Sequence, residues 1–192
     1  MRSNAHTNST HELVKNDDVI IWPSVDTVPR AFVEKFIRTT QARLKKRSTT
    51  KQHASILSFT TAGEGLYIYN DAFIIAALPF SRMYSKDTTR PTQGRRRTSS
   101  PLFTRLADVL SLLTSGPHAL RILSMSNASL SYANALDAHT TALEYDSGAR
   151  CRCIKAVGVE GWREERLYAR WEAALLRAGM LTRWVVLVEV KD

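Results

Sequence analysis

Cysteine is nearly absent. Cys151 and Cys153 are the only two, too few for a disulfide framework and in keeping with a reducing compartment. No apolar run approaches the roughly 18–20 residues that cross a bilayer. The opening residues, Met1-Arg2-Ser3-Asn4-Ala5-His6-Thr7-Asn8, lack the apolar core of a secretory signal. Cytoplasm or nucleus is therefore the expected location, with the sequons at Asn8 and Asn127 silent. Gly-rich phosphate loops are missing too. Gly63-Glu64-Gly65 has no Lys-Ser/Thr behind it and reads as a hairpin turn. No serine is flanked by glycines as a nucleophile, and the five histidines do not cluster, so no catalytic triad can be drawn. There is no internal repeat.

Positive charge is what the chain has in surplus, 27 Lys and Arg against 18 Asp and Glu for a net +9. It sits in two windows. Arg38, Arg43, Lys45, Lys46, Arg47 and Lys51 fall within fourteen residues that hold no acid. Arg82, Lys86, Arg90, Arg95, Arg96 and Arg97 follow, opposed only by Asp87. Together these windows exceed the whole net charge, so the remainder is slightly acidic. Surplus charge this local suits phosphates or acidic lipid headgroups. A bland reading stands beside it: cations complement a helix C-terminus, and short basic clusters are common in solvated loops.

At 192 residues with 44% apolar content the chain suits one domain with a proper core. Residues 1–18 read as a disordered polar tail and 19–192 as a single α/β (or α+β) domain. Val19–Trp22 is a short strand ended by Pro23. Asp26 and Thr27 are placed to cap a helix whose buried face carries Phe32, Val33, Phe36, Ile37, Thr40 and Leu44. Its opposite side carries Glu34, Lys35, Arg38, Gln41 and Lys45. Ser55–Thr60, Leu66–Tyr69 and Ala72–Leu78 read as an antiparallel meander, although a short helix also fits the alanines of the third. Residues 85–101 form a long basic loop, open to reading as a binding arm, an import signal or a kinase site at Ser99.

From Leu102 the elements alternate helix and strand, as in a mixed α/β sheet. Leu102–Thr114 is a helix and Ala119–Met125 a strand. Residues 127–145 fit either helix or strand. Cys151–Val159 reads as a strand, Gly161–Ala178 as a helix. Trp184-Val185-Val186-Leu187-Val188-Glu189-Val190 is apolar on both faces, which places it inside a sheet covered on both sides. On the last helix, Leu167, Trp171, Ala174, Leu175 and Ala178 are expected to be buried. Its glutamates, Glu160, Glu164, Glu165 and Glu172, are expected to pair along it with Arg163, Arg166, Arg170 and Arg177.

The chemical candidates are few. Glu189-Val190-Lys191 resembles the acid-x-Lys that ends a strand in metal-dependent nucleases, but no second strand carboxylate precedes it. Cys151 and Cys153 supply two thiols where a structural zinc needs about four ligands. Asp137 and His139 point apart on a helix. These residues therefore imply no cofactor and no metal. The favoured expectation is a non-enzymatic nucleic-acid-binding protein, RNA before DNA, that grips phosphate through Arg38, Arg43, Lys45, Lys46, Arg47, Lys51, Arg90, Arg95, Arg96 and Arg97. The alternatives are a self-assembling peripheral membrane scaffold of viral-matrix type and a Mg²⁺-dependent nuclease using Glu189 and Lys191.

Overall fold

A computed structural model describes residues 19–47, 54–63, 66, 71–77, 80 and 100–190. The expected tail, the return strand at 67–69 with its two tyrosines, nearly all of the basic loop, and Lys191 lie outside the described residues.

Four strands build one mixed sheet in the order β1-β2-β4-β3. β1 (Ile20–Ile21) runs parallel to β2 (Ala54–Ala62), with Ile21 opposite Ile56. β4 (Leu181–Val190) lies antiparallel between β2 and β3 (Leu120–Asn127). The apolar run from Trp184 thus occupies an interior strand, as its two covered faces require. The fold is α/β, with helices on the sheet.

The antiparallel meander is corrected. β2 pairs with β4 along its whole length, Phe59 opposite Trp184 and Leu57 opposite Val186. Alternation in residues 55–60 marks a strand but carries no information about its partner, and a ten-residue apolar strand offers a longer ladder than the short segment after Gly65. The third meander strand is instead helix α2 (Asp71–Ala77), in line with the helix preference of Ala72, Ala76 and Ala77.

Helix α1 (Val33–Arg47) and helix α4 (Leu106–Thr114) cover one face of the sheet. Ile37 and Leu44 of α1 and Val109 and Leu113 of α4 meet Leu57, Phe59, Val186 and Val188 there. Residue parity sends Leu181 to the other face. It packs there with Leu136 of α5 (Ser129–Tyr145), with Ala169, Ala173 and Leu176 of α6 (Ser147–Arg177), and with Leu102 of the helical turn α3 (Ser100–Phe103).

Several local expectations are also corrected. Asp26 and Thr27 do not cap α1; they lie in a 3-10 turn, Val25–Thr27, that Ser24 caps, and α1 begins at Val33. Phe32 is 57% exposed, whereas Gln41, read as polar surface, is 1% exposed. Its Nε2 donates to the carbonyls of Leu112 (3.0 Å) and Leu113 (2.9 Å), which satisfies a buried amide and two carbonyls of the α4 C-terminus together. Leu102–Thr114 is two segments, because Arg105 is extended (φ −101°, ψ 143°) and the Thr104 hydroxyl returns to the Ser100 carbonyl.

The region left open at 127–145 is helical over Ser129–Tyr145. Cys151–Val159 is helical as well: Asp146 accepts from the amides of Gly148 (2.8 Å) and Ala149 (3.2 Å) and so caps the N-terminus of the helix that contains this segment. Helix α6 is broken once, at Gly158, whose φ of 80° and ψ of 173° are open essentially to glycine alone. Beyond this break the buried stripe is Ala169, Glu172, Ala173, Leu175 and Leu176, and Leu167 is 54% exposed. Arginines of α6 also pair across to α5. Arg166 and Arg170 both reach Glu144, and Arg177 reaches Asp137 at 2.5 Å.

Candidate functional site

In open α/β sheets, ligands sit in the crevice beyond the carboxyl ends of the parallel strands. That end of this sheet holds a polar cluster drawn from four segments. β1 runs through Trp22 and Pro23 into Ser24 and Asp26. β2 contributes Ser58 and Thr60, β4 contributes Arg183 opposite Thr60, and the first turn of α5 contributes Ser129 and Tyr132.

One Asp26 carboxylate oxygen accepts from the Thr60 amide at 2.7 Å, the other from the Thr60 hydroxyl at 2.9 Å and from Arg183 Nη1. Arg183 also donates to the hydroxyls of Ser24 (3.3 Å), Thr60 (3.1 Å) and Ser58 (2.7 Å). Its guanidinium lies 4.5 Å from the centroid of the Tyr132 ring, and its backbone amide donates to the Ser129 hydroxyl at 3.0 Å. Arg183 is 7% exposed. A buried charge persists only when paired and fully hydrogen-bonded, and these contacts meet that condition. Reading the terminal strand from Trp184 leaves Arg183 outside it. Extending the same two-residue alternation back to Leu181 places the guanidinium inside, and that was the available signal.

The basic residues singled out from charge scatter. Arg38 faces inward and donates to the carbonyls of Leu112 (3.1 Å) and Ser115 and to the Ser115 hydroxyl (3.2 Å), closing the C-terminus of α4. Arg43, Lys45 and Lys46 are exposed on the last turns of α1, which Arg47 ends. Lys51, Arg90, Arg95, Arg96 and Arg97 lie outside the described residues. Thr40, Arg43, Leu44 and Lys46 form one wall of a groove of about 650 Å³, and Ile20, Ile21, Trp22 and Pro23 form the other.

The remaining candidates are engaged or dispersed. Glu189 pairs with Arg121 on the neighbouring strand. Among the described residues no group of three His, Cys, Asp or Glu side chains is placed to hold a metal. On a helix, Cys151 and Cys153 face different ways: the first is exposed, the second half-buried, and burial followed by the nearby Glu165 carboxylate raises the Cys153 thiol pKa. His139 lies 3.7 Å from Glu165. Glu144 is held below the usual carboxylate range, first by the Arg166 hydrogen bond, with the charges of Arg166 and Arg170 adding to it and burial opposing it. Among the described residues no helix is long and apolar enough to cross a membrane.

No protein-family model and no curated protein matches the chain by sequence. Its fold is nevertheless shared with solved structures. A phosphoethanolamine N-methyltransferase 2 of Haemonchus contortus, in complex with phosphomonomethylethanolamine and S-adenosylhomocysteine, superposes with a TM-score of 0.55 at 11% identity, over 91% of this chain and 33% of its own. A mycolic acid cyclopropane synthase complexed with S-adenosylhomocysteine and CTAB gives 0.53 at 14% identity, over 90% and 55%. An apo-form of the same kind of synthase gives 0.52 at 16%, over 90% and 58%. The chain therefore spans between a third and three-fifths of the structures it matches. At these identities the likeness establishes a Rossmann-like fold of the kind seen in methyltransferases.

That fold overturns the expected function. The architecture is one found in enzymes crystallised with S-adenosylhomocysteine, so the reading as a non-enzymatic nucleic-acid-binding protein is corrected. Charge counting misled because it cannot separate an arginine that closes a helix, such as Arg38, from one that faces solvent.

The described residues do not by themselves fit S-adenosylhomocysteine. β1 leads into Pro23 and a 3-10 turn. β2 leads into Gly63, whose amide donates to the Met180 carbonyl at 2.8 Å. A Cβ at Gly63 would meet the Gly179 carbonyl oxygen at 2.0 Å, so the space beside this glycine is filled by the chain's own backbone. The Asp26 carboxylate is occupied by Thr60 and Arg183.

Proposed function

We propose that the protein acts in methyl-group transfer, through a methyltransferase-type sheet whose Asp26–Arg183 cluster forms the polar floor of the crevice. The observation that carries this reading is the superposition, over about nine-tenths of the chain, on enzymes two of which hold S-adenosylhomocysteine. The cluster's place at the carboxyl ends of β1 and β2 supports it, since crevices of this fold class open there. The Ser24, Ser58, Thr60 and Ser129 hydroxyls are tied into that floor as acceptors from Arg183.

The test uses the native protein purified with whatever accompanies it. Calorimetry is expected to show binding of S-adenosylhomocysteine, and tritium from methyl-labelled S-adenosylmethionine is expected to reach one acceptor class among phosphorylated amines, acyl lipids and extract components. Neither binding nor transfer in that preparation would overturn the reading.

A further inference from the structure

We propose that the open edge of β1 and the groove beside α1 form a docking site for an extended polypeptide strand. The strand is apolar where it lies along β1 and carries a carboxylate where it passes Arg43 and Lys46. This rests on the geometry of the edge and is independent of the reaction proposed above.

The Trp22 amide donates to the Ile56 carbonyl at 2.9 Å. In a parallel ladder Ile20 and Trp22 therefore turn their backbone groups toward β2, and Ile21 between them turns its N–H and C=O away. β1 ends the strand order, so among the described residues no strand receives them. Exposed strand edges are ordinarily guarded by charge, a bulge or a covering segment. Ile21 instead presents an apolar side chain that is 76% exposed. Pro23 has no N–H and stops the pairing, which limits the contact to Val19–Ile21.

The groove beside this edge supplies a second observation. Trp22 lines it and is 3% exposed. The rim supplies charge complementarity: exposed Arg43 and Lys46 stand beside apolar Leu44 and Ile20. An apolar strand ending in an acid matches that order. The matched structures also carry polypeptide outside the shared fold, since this chain spans 33% to 58% of them. Strand addition combines main-chain hydrogen bonds with side-chain pockets on one face, and this edge offers both.

The probe is a short fluorescein-labelled peptide of alternating valine and threonine that ends in two aspartates, followed by fluorescence anisotropy. Saturable binding is expected, weakened about tenfold or more by N-methylating alternate peptide amides, by Ile21→Lys, or by Arg43→Glu with Lys46→Glu. Unchanged circular dichroism shows that these variants remain folded. Equal binding of the N-methylated peptide or of a lysine-ended one overturns the proposal, as does indifference to Ile21→Lys. A dimer in sedimentation velocity that Ile21→Lys dissociates would assign the edge to a second copy instead. Dodecanoate binding without peptide binding would assign the groove to an amphiphile; either result overturns strand docking. Peptide binding without methyl transfer upholds this proposal and counts only against the reaction.

Discussion

The Arg183 guanidinium donates to the Asp26 carboxylate across 157 residues of chain, joining the turn after the first strand to the last strand. Thr60 takes part in both halves of the pair, through its amide and hydroxyl to Asp26 and as acceptor from Arg183. Three segments with no sequence proximity thus share one polar network on the sheet.

Removing one partner of this pair should cost far more than removing both. Asp26→Ala leaves a buried guanidinium unpaired, and a loss of about 3–5 kcal/mol is expected. Asp26→Ala with Arg183→Met should recover much of that, because the desolvation penalty of the lone charge disappears. Urea denaturation of the two single variants and the double variant measures the difference. A double variant as unstable as the sum of the singles would mean the two residues act independently.

Gly63 and Gly158 should resist substitution for different reasons. A Cβ at Gly63 meets the Gly179 carbonyl oxygen at 2.0 Å, so Gly63→Ala must push the ends of β2 and β4 away from each other, at about 1–3 kcal/mol. At Gly158 a Cβ meets nothing within 4 Å, and the cost of Gly158→Ala is backbone strain alone, also about 1–3 kcal/mol. Thermal melts give the size of each effect. Amide exchange separates them: protection should fall at the ends of β2 and β4 in the first variant and around the α6 bend in the second.

Acid should loosen the contact between α5 and α6. The Glu144 pKa is lowered in the folded protein, chiefly by the Arg166 hydrogen bond. Its contribution is therefore present above the unfolded value, about pH 4.3 for a glutamate, and is lost as pH falls through the lower folded value. The melting temperature of the native protein should drop more steeply below about pH 4.3 than that of Glu144→Gln. Parallel curves for the two proteins across that window would exclude the linkage.

Several elements were legible because their signal is local. The run from Trp184 to Val190 is apolar on both faces and had to be interior, and β4 is. The stripe of Val33, Ile37 and Leu44 repeats at helical spacing, and α1 buries all three. Phase was less legible. Leu167 and Ala169 are two residues apart on α6, and only contact with α5 and the sheet decides which of them is buried. The Cys151–Val159 segment has a strand's composition, but it lies within the helix that Asp146 caps.

By itself the sequence determined an α/β chain with a buried terminal strand, two cysteines too few for a framework, and charge gathered into windows. Those properties depend on composition and on spacing of a few residues, where period and propensity act. Tertiary structure alone decided that β2 pairs with β4, that Arg38 and Gln41 close α4, and that Asp26 meets Arg183. Each joins residues at least 71 positions apart. Such contacts are selected by how whole faces bury together and how buried polar groups find partners, and neither condition is written in any short window of the chain.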